Sequence, residues 1–175
     1  MDRVRIKKML YIALFTALLA VSAWIAVPTP IPFTLQTFTF FLAIMMLGGD
    51  SGAIMSTVYI ALGIVGLPVF AGFGSGVGYL LGASGGFVLS FPIAALLYLL
   101  LASVFKNGQK RKIIYALISL ALIYVIGSFW FTLVYSDGKG LFATLAVCVF
   151  PYLIPDAVKI LIAYYVSERL KMFLK

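Results

Sequence analysis

The chain has 175 residues, of which 64% are hydrophobic and 10% charged, with a mean hydropathy of +1.17 and a net charge of +8. So apolar a chain cannot form one water-soluble domain without exposing a large hydrocarbon surface, which excludes the soluble globular classes and predicts an all-α polytopic membrane protein. It has no His, a single Cys and no G-x-x-x-x-G-K-[ST] phosphate loop, which excludes an internal disulfide, most metal chemistry and nucleotide hydrolysis by that loop, so neither metal nor cofactor is expected.

Six transmembrane helices are predicted within one integral membrane domain covering 1–175, over residues 9–27, 33–48, 51–71, 79–105, 113–135 and 141–167. Arg3, Arg5, Lys7 and Lys8 precede the first run, which is read as a helix and not as a cleaved signal peptide because further spans follow it. The second run is short and opens on proline-rich sequence, and Pro151 and Pro155 predict a lead-in segment before the main part of the sixth. Lys106, Lys110, Arg111 and Lys112 lie between the fourth and fifth runs, and Arg169, Lys171 and Lys175 follow the last. With six spans these three clusters fall on one side, so the positive-inside rule puts both termini in the cytoplasm. The net charge is then a topology signal facing anionic lipid and calls for no nucleic acid.

Two charges remain inside an apolar run: Asp156 and Lys159. A charge at membrane depth costs about 2.5–3.5 kcal/mol even on the lenient insertion scale, so such groups face a protein interior, pair, or contact a ligand. At i and i+3 they share a helix face. The bland alternative is an ion pair that only fixes helix packing. Pro155 suits the first position of the last helix, and Asp156 stands 12 residues before Glu168, roughly 18 Å at the helical rise of about 1.5 Å per residue, in the middle to outer part of a bilayer. Two other segments meet it at that level. Residues 28–39 hold alternating prolines that stiffen an extended stretch and present Thr34, Gln36 and Thr37. Residues 72–86 hold seven glycines, and irregular backbone near membrane depth is tolerated only where it is buried or lines a cavity.

In the first helix, Ala13 and Ala17 form a small-x-x-x-small pair, with Ala20 following, a pattern that allows close approach of another helix or serves internal packing. Cys148 is expected to act as a small hydrophobe. Phe129, Trp130, Phe131, Tyr164 and Tyr165 are expected at helix ends or against lipid. Asp50 is expected as a turn residue or helix cap, and Asp137 and Lys139 as loop residues.

Four segments occur in an order and spacing that resemble a known family: Pro30-Ile31-Pro32-Phe33-Thr34-Leu35-Gln36, Gly63-Ile64-Val65-Gly66-Leu67-Pro68-Val69-Phe70-Ala71-Gly72, Gly82-Ala83-Ser84-Gly85-Gly86-Phe87 and Pro155-Asp156-Ala157-Val158-Lys159. Over nearly its whole length the chain resembles BioY, the biotin-specific S component of energy-coupling factor (ECF) transporters. It departs at 82–87, where the family commonly has G-P-T-G-G-Y. The resemblance implies an S-component-like bundle of six helices in a prokaryotic plasma membrane. Such a protein captures biotin at the outer face and releases it inward with a transmembrane coupling subunit (T component) and two ABC ATPases, without enzymatic activity of its own. Asp156 and Lys159 are then the expected polar contacts, Asp156 accepting ureido hydrogens and Lys159 bonding either the ureido oxygen or the valerate carboxylate. Thr34, Gln36, Tyr79, Ser84, Gly85 and Tyr152 complete the expected binding set, while Ala13 and Ala17 match the surface that docks on the coupling subunit. The competing readings are an S component for another small vitamin, a self-sufficient secondary transporter, which would call for inverted repeats and a second intramembrane ionisable group, and a membrane enzyme, which would call for a nucleophile with a base.

Overall fold

The computed structural model describes residues 3–29, 31–105, 108–135 and 141–173. Pro30, Lys106, Asp137, Lys139 and Lys175 lie outside them. Helix α1 (Arg3–Trp24) begins six residues before the apolar run, because its Arg and Lys residues are good helix formers and continue the same helix. A two-residue antiparallel pairing follows, β1 (Ala26–Val27) with β2 (Phe33–Thr34), in register Ala26 with Thr34 and Val27 with Phe33. The expected second helix therefore starts later, as α2 (Gln36–Leu47). Gly48, at φ 96°, turns the chain directly into α3 (Gly49–Ile64). The expected third run to residue 71 ends early, at Gly66 (φ 99°) and Pro68, and a single 3-10 turn occupies Ala71–Phe73.

The expected helix 79–105 is two elements, α4 (Gly76–Leu80) and α5 (Gly85–Val104). Glycine lowers helix propensity through the break, and Gly85 backs directly onto the Leu80 carbonyl: a Cβ there would stand 1.6 Å from that oxygen. Gly85→Ala is accordingly expected to reduce the yield of monodisperse protein several-fold, read by size-exclusion chromatography. A parental yield would mean that this joint is slack.

Helix α6 runs Gln109–Tyr135, α7 covers Leu141–Cys148 and α8 covers Phe150–Phe173. The lead-in expected before the last helix is α7. Pro155, however, lies inside α8 and not at its first position. The chain turns at Val149, Pro151 sits in the first turn where no N–H is needed, and Pro155 merely frees one carbonyl.

The most extensive interfaces are α5 with α6, α2 with α8, and α3 with α5. Close approach at the first rests on Gly86 against Trp130 and Gly127 against Phe87, since a Cβ on either glycine would stand 2.2 or 2.3 Å from the facing side chain. The core is apolar, with Leu19, Phe40, Phe41, Tyr59, Phe70 and Ile160 all but fully enclosed, while the outer surface is also apolar, including Leu10, Leu14, Val125, Phe129 and Tyr165. That inside-out sameness is what lipid permits. Trp130 lies toward the end of α6, where it is half-buried and its indole N–H donates to the Gly82 carbonyl (3.0 Å). Phe131 and Tyr164 are also half-buried and pack on the core.

Four stretches are long and apolar enough to cross a bilayer, Arg3–Trp24, Gly85–Val104, Arg111–Val134 and Thr144–Lys171. Helix α2, with 12 residues, and α3, with 16, are shorter. At about 1.5 Å per residue they reach roughly 18 and 24 Å, less than the hydrocarbon core of about 30 Å. Six crossings therefore do not follow from helix length. Two ion-paired contacts mark one end of the bundle, Lys8 with Asp50 joining the starts of α1 and α3, and Lys112 with Glu168 (2.8 Å) joining α6 to the end of α8. Asp50 is in the first turn of α3 as expected, and the neighbouring Lys8 ammonium holds its carboxyl below the usual carboxylate range.

Candidate functional site

At the opposite end of the bundle a cavity, partly open to solvent, is enclosed by β2, α2, α4, α5, α6, α7 and α8. Its polar centre is Asp156 and Lys159, one helical turn apart on α8 and buried to 5% and 8% exposure. Lys159 Nζ donates to Asp156 Oδ1 at 2.8 Å, to the Thr34 carbonyl at 2.6 Å and to Thr37 Oγ1 at 3.3 Å, and stands 3.6 Å from the centre of the Phe33 ring. Asp156 Oδ1 also accepts from Thr37 Oγ1 (2.9 Å), and Oδ2 accepts from Tyr124 OH (2.7 Å).

All three ammonium hydrogens of Lys159 have protein acceptors, the longest being Thr37, and its charge is further met by the face of Phe33. Three donors reach Asp156, and since a carboxylate offers about four acceptor positions, one remains for an N–H from outside. A buried ion pair is retained only when such extra hydrogen bonds satisfy it. Here α2 and α6 supply them.

The other expected residues separate into groups. Tyr79 and Ser84 line the cavity, and neither hydroxyl has a hydrogen bond among the described residues. Tyr152 also lines it, but its OH donates to the Ile31 carbonyl (2.8 Å) and lies 3.0 Å from Thr29 Oγ1, while its ring stacks on Phe33 at 5.8 Å, so it braces the β1–β2 connection. Thr34 and Gln36 reach the cavity with their polar atoms engaged: Thr34 Oγ1 donates to Gln36 Oε1 (3.1 Å) and Gln36 Nε2 donates to Tyr59 OH (2.7 Å). Gly85 is not in the lining; it is the packing glycine of the α4–α5 joint.

Tyr124 and the apolar wall residue Phe91 are site residues that the sequence did not single out, whereas Phe87 stands where the family commonly has Tyr and Phe33 lies in the proline-rich segment. The chain has ten tyrosines, and Tyr124 sits in the middle of a helix whose apolar residues run all round it, so nothing local marks it. Phe33 lies beside the Thr34 and Gln36 already considered, so the stiffened 28–39 segment was the available signal. Cys148 is buried, as a small hydrophobe should be, at the cavity wall.

Far from the cavity, Ala13 and Ala17 both face outward on α1, whereas Ala20 is buried. They line an apolar groove between α1 and α3, with Ile12, Ile54, Val58 and Leu62 along it and Arg5 and Lys8 at one end.

The sequence profile of the BioY family matches residues 1–175. The chain belongs to the BioY family. Among its BioY relatives, the probable biotin transporter BioY of Pyrococcus horikoshii is 36% identical over 166 residues, covering 94% of this chain and 96% of that one. The biotin transporter BioY of Thermotoga maritima is 34% identical, with the same coverage. A crystal structure of the S-component for biotin from an ECF-type ABC transporter superposes with a TM-score of 0.88 over 98% of this chain and 94% of that one, at 22% identity. This chain thus shares the fold of that S-component.

Proposed function

We propose that this protein is the biotin-binding S subunit of an ECF-type ABC importer. The single observation that carries the reading is the buried Asp156–Lys159 pair with one acceptor position to spare, at the centre of an aromatic-walled cavity, in a chain whose BioY relatives are named as biotin transporters. Biotin carries two ureido N–H donors, a ureido carbonyl, an apolar bicycle and a valerate carboxylate. The remaining acceptor of Asp156 takes a ureido hydrogen, and Lys159 turns from Thr37, its weakest contact, to the ureido oxygen. Phe33, Phe87 and Phe91 cover the bicycle. The free hydroxyls of Tyr79 and Ser84 receive the carboxylate, because the ammonium of Lys159 is already committed.

In this reading the protein binds and releases its ligand and has no catalytic role, in keeping with BioY relatives that are named as transporters. Translocation is driven by two partner ATPases through a coupling subunit that docks on the Ala13–Ala17 groove. The grouping of basic residues supports a multi-pass plasma-membrane protein with cytoplasmic termini and a cavity facing outward.

Isothermal titration of detergent-purified, ligand-stripped protein with biotin, with thiamine and riboflavin as controls, tests the reading. Stoichiometric, biotin-selective binding at nanomolar concentration is expected. Absence of binding by folded protein would move the search to other vitamins, with Ala83, Ser84 and Phe87 as the residues that changed preference.

A further inference from the structure

Gln36 and Tyr59 carry the hydrogen bonding of the cavity away from the ligand. Gln36 is 6% exposed and Tyr59 fully buried, and both ends of the Gln36 amide are engaged by protein. Thr34 Oγ1 donates to Gln36 Oε1 (3.1 Å), Gln36 Nε2 to Tyr59 OH (2.7 Å) and Tyr59 OH to the Val69 carbonyl (2.9 Å), while Thr34 is itself held at the charged pair because its carbonyl accepts from Lys159 Nζ (2.6 Å). Bonds aligned donor to acceptor polarise and strengthen one another in a low-dielectric interior.

The far end of this chain is a segment with little regular structure of its own. Between α3 and α4 the backbone passes through Gly66 (φ 99°), Gly72 (φ 64°) and Phe73 (φ 59°). Side chains hold it in place. Trp24 donates to the Pro68 carbonyl (2.8 Å) and stacks on Phe73, whereas Tyr59 donates to Val69 and meets Phe70 edge to face at 5.4 Å. Phe70 in turn stacks on Tyr79 at 4.8 Å, and Gly63 leaves the space its ring needs, since a Cβ there would lie 2.0 Å from the ring. Tyr79 faces the cavity.

We propose that Gln36 and Tyr59 are a positioning pair that couples the charged wall of the cavity at Asp156 and Lys159 to the wall built by residues 66–79, so that neither wall is set independently of the other. This rests on the biotin-binding reading only for the ligand used. Gln36 is then not a ligand contact, and Tyr59, which does not line the cavity, helps determine affinity through Tyr79.

The test is Tyr59→Phe in the full-length protein, which keeps the ring and its contacts with Phe70 and removes the hydroxyl that joins Gln36 to Val69. Tyr98→Phe, a buried tyrosine remote from the cavity, is the control for the loss of a hydroxyl as such. In ligand-free protein, amide hydrogen exchange should accelerate in Tyr59→Phe both at 66–79 and at 33–37, the two ends of the chain, and at neither in Tyr98→Phe. With biotin, Kd should rise about tenfold in Tyr59→Phe, the scale expected for leaving a buried donor and acceptor unpaired, and stay within twofold in Tyr98→Phe. Acceleration at one end alone, or a Kd for Tyr59→Phe within twofold of the parent, overturns the coupling. Failure of the parent to bind biotin would overturn the reading of function instead, and the ligand-free exchange would still decide the coupling.

Discussion

Asp156→Asn is expected to weaken biotin binding by about a hundredfold or more while leaving a folded, less stable protein. The substitution keeps the shape of the side chain but removes the charge that answers Lys159 and gives one end of the group two hydrogens. Asp156 accepts from Lys159, Thr37 and Tyr124, so an amide nitrogen placed at either oxygen position faces a donor. Removing one partner of a buried ion pair costs about 3–5 kcal/mol, since the other charge stays desolvated and unmet. A share of about 2.7 kcal/mol falling on the bound state is already a hundredfold in Kd. Tyr124→Phe removes only a neutral donor from the same carboxylate and is expected to cost about tenfold. Titration calorimetry on both variants, with thermal denaturation to confirm folding, reads the series. A Kd for Asp156→Asn within twofold of the parent would mean that the pair only packs helices.

Replacing Ala13 and Ala17 together by Trp is expected to abolish co-purification of the coupling subunit and ATPases while leaving the biotin Kd within twofold. Both alanines are exposed and face a groove shared with Ile54, Val58 and Leu62 of α3. Small side chains there permit another helix to approach backbone to backbone, and in lipid that close packing is the main source of helix association. Two indoles would fill the groove. The cavity is enclosed by other elements, so its geometry should survive. If the double variant also lost biotin binding or ran as aggregate, the alanines would belong to the packing of the chain itself, and docking would have to be sought on another face.

The membrane class, the all-helical fold, the basic clustering and the placement of Asp156 and Lys159 on one turn were legible because each follows from composition or from spacing along a single helix. The proline-rich and glycine-rich segments marked out by their composition do supply cavity walls, at Phe33, Thr34, Gln36, Tyr79 and Ser84. The ends of α2, α3 and α4 were not legible, since they depend on where the β1–β2 pairing starts, where Gly66 turns the chain and how Gly85 meets Leu80. Nor was the engagement of the Gln36 amide, which lines the cavity while bonded to Thr34 and Tyr59. In a soluble helix the polar face tells which side is buried, but lipid accepts apolar residues all round and erases that signal. Which side chains meet in the cavity was therefore decided by tertiary packing alone: Thr37 reaches Asp156 across 119 residues of sequence, and Tyr124 reaches it from a helix with no polar stripe to announce its inner face.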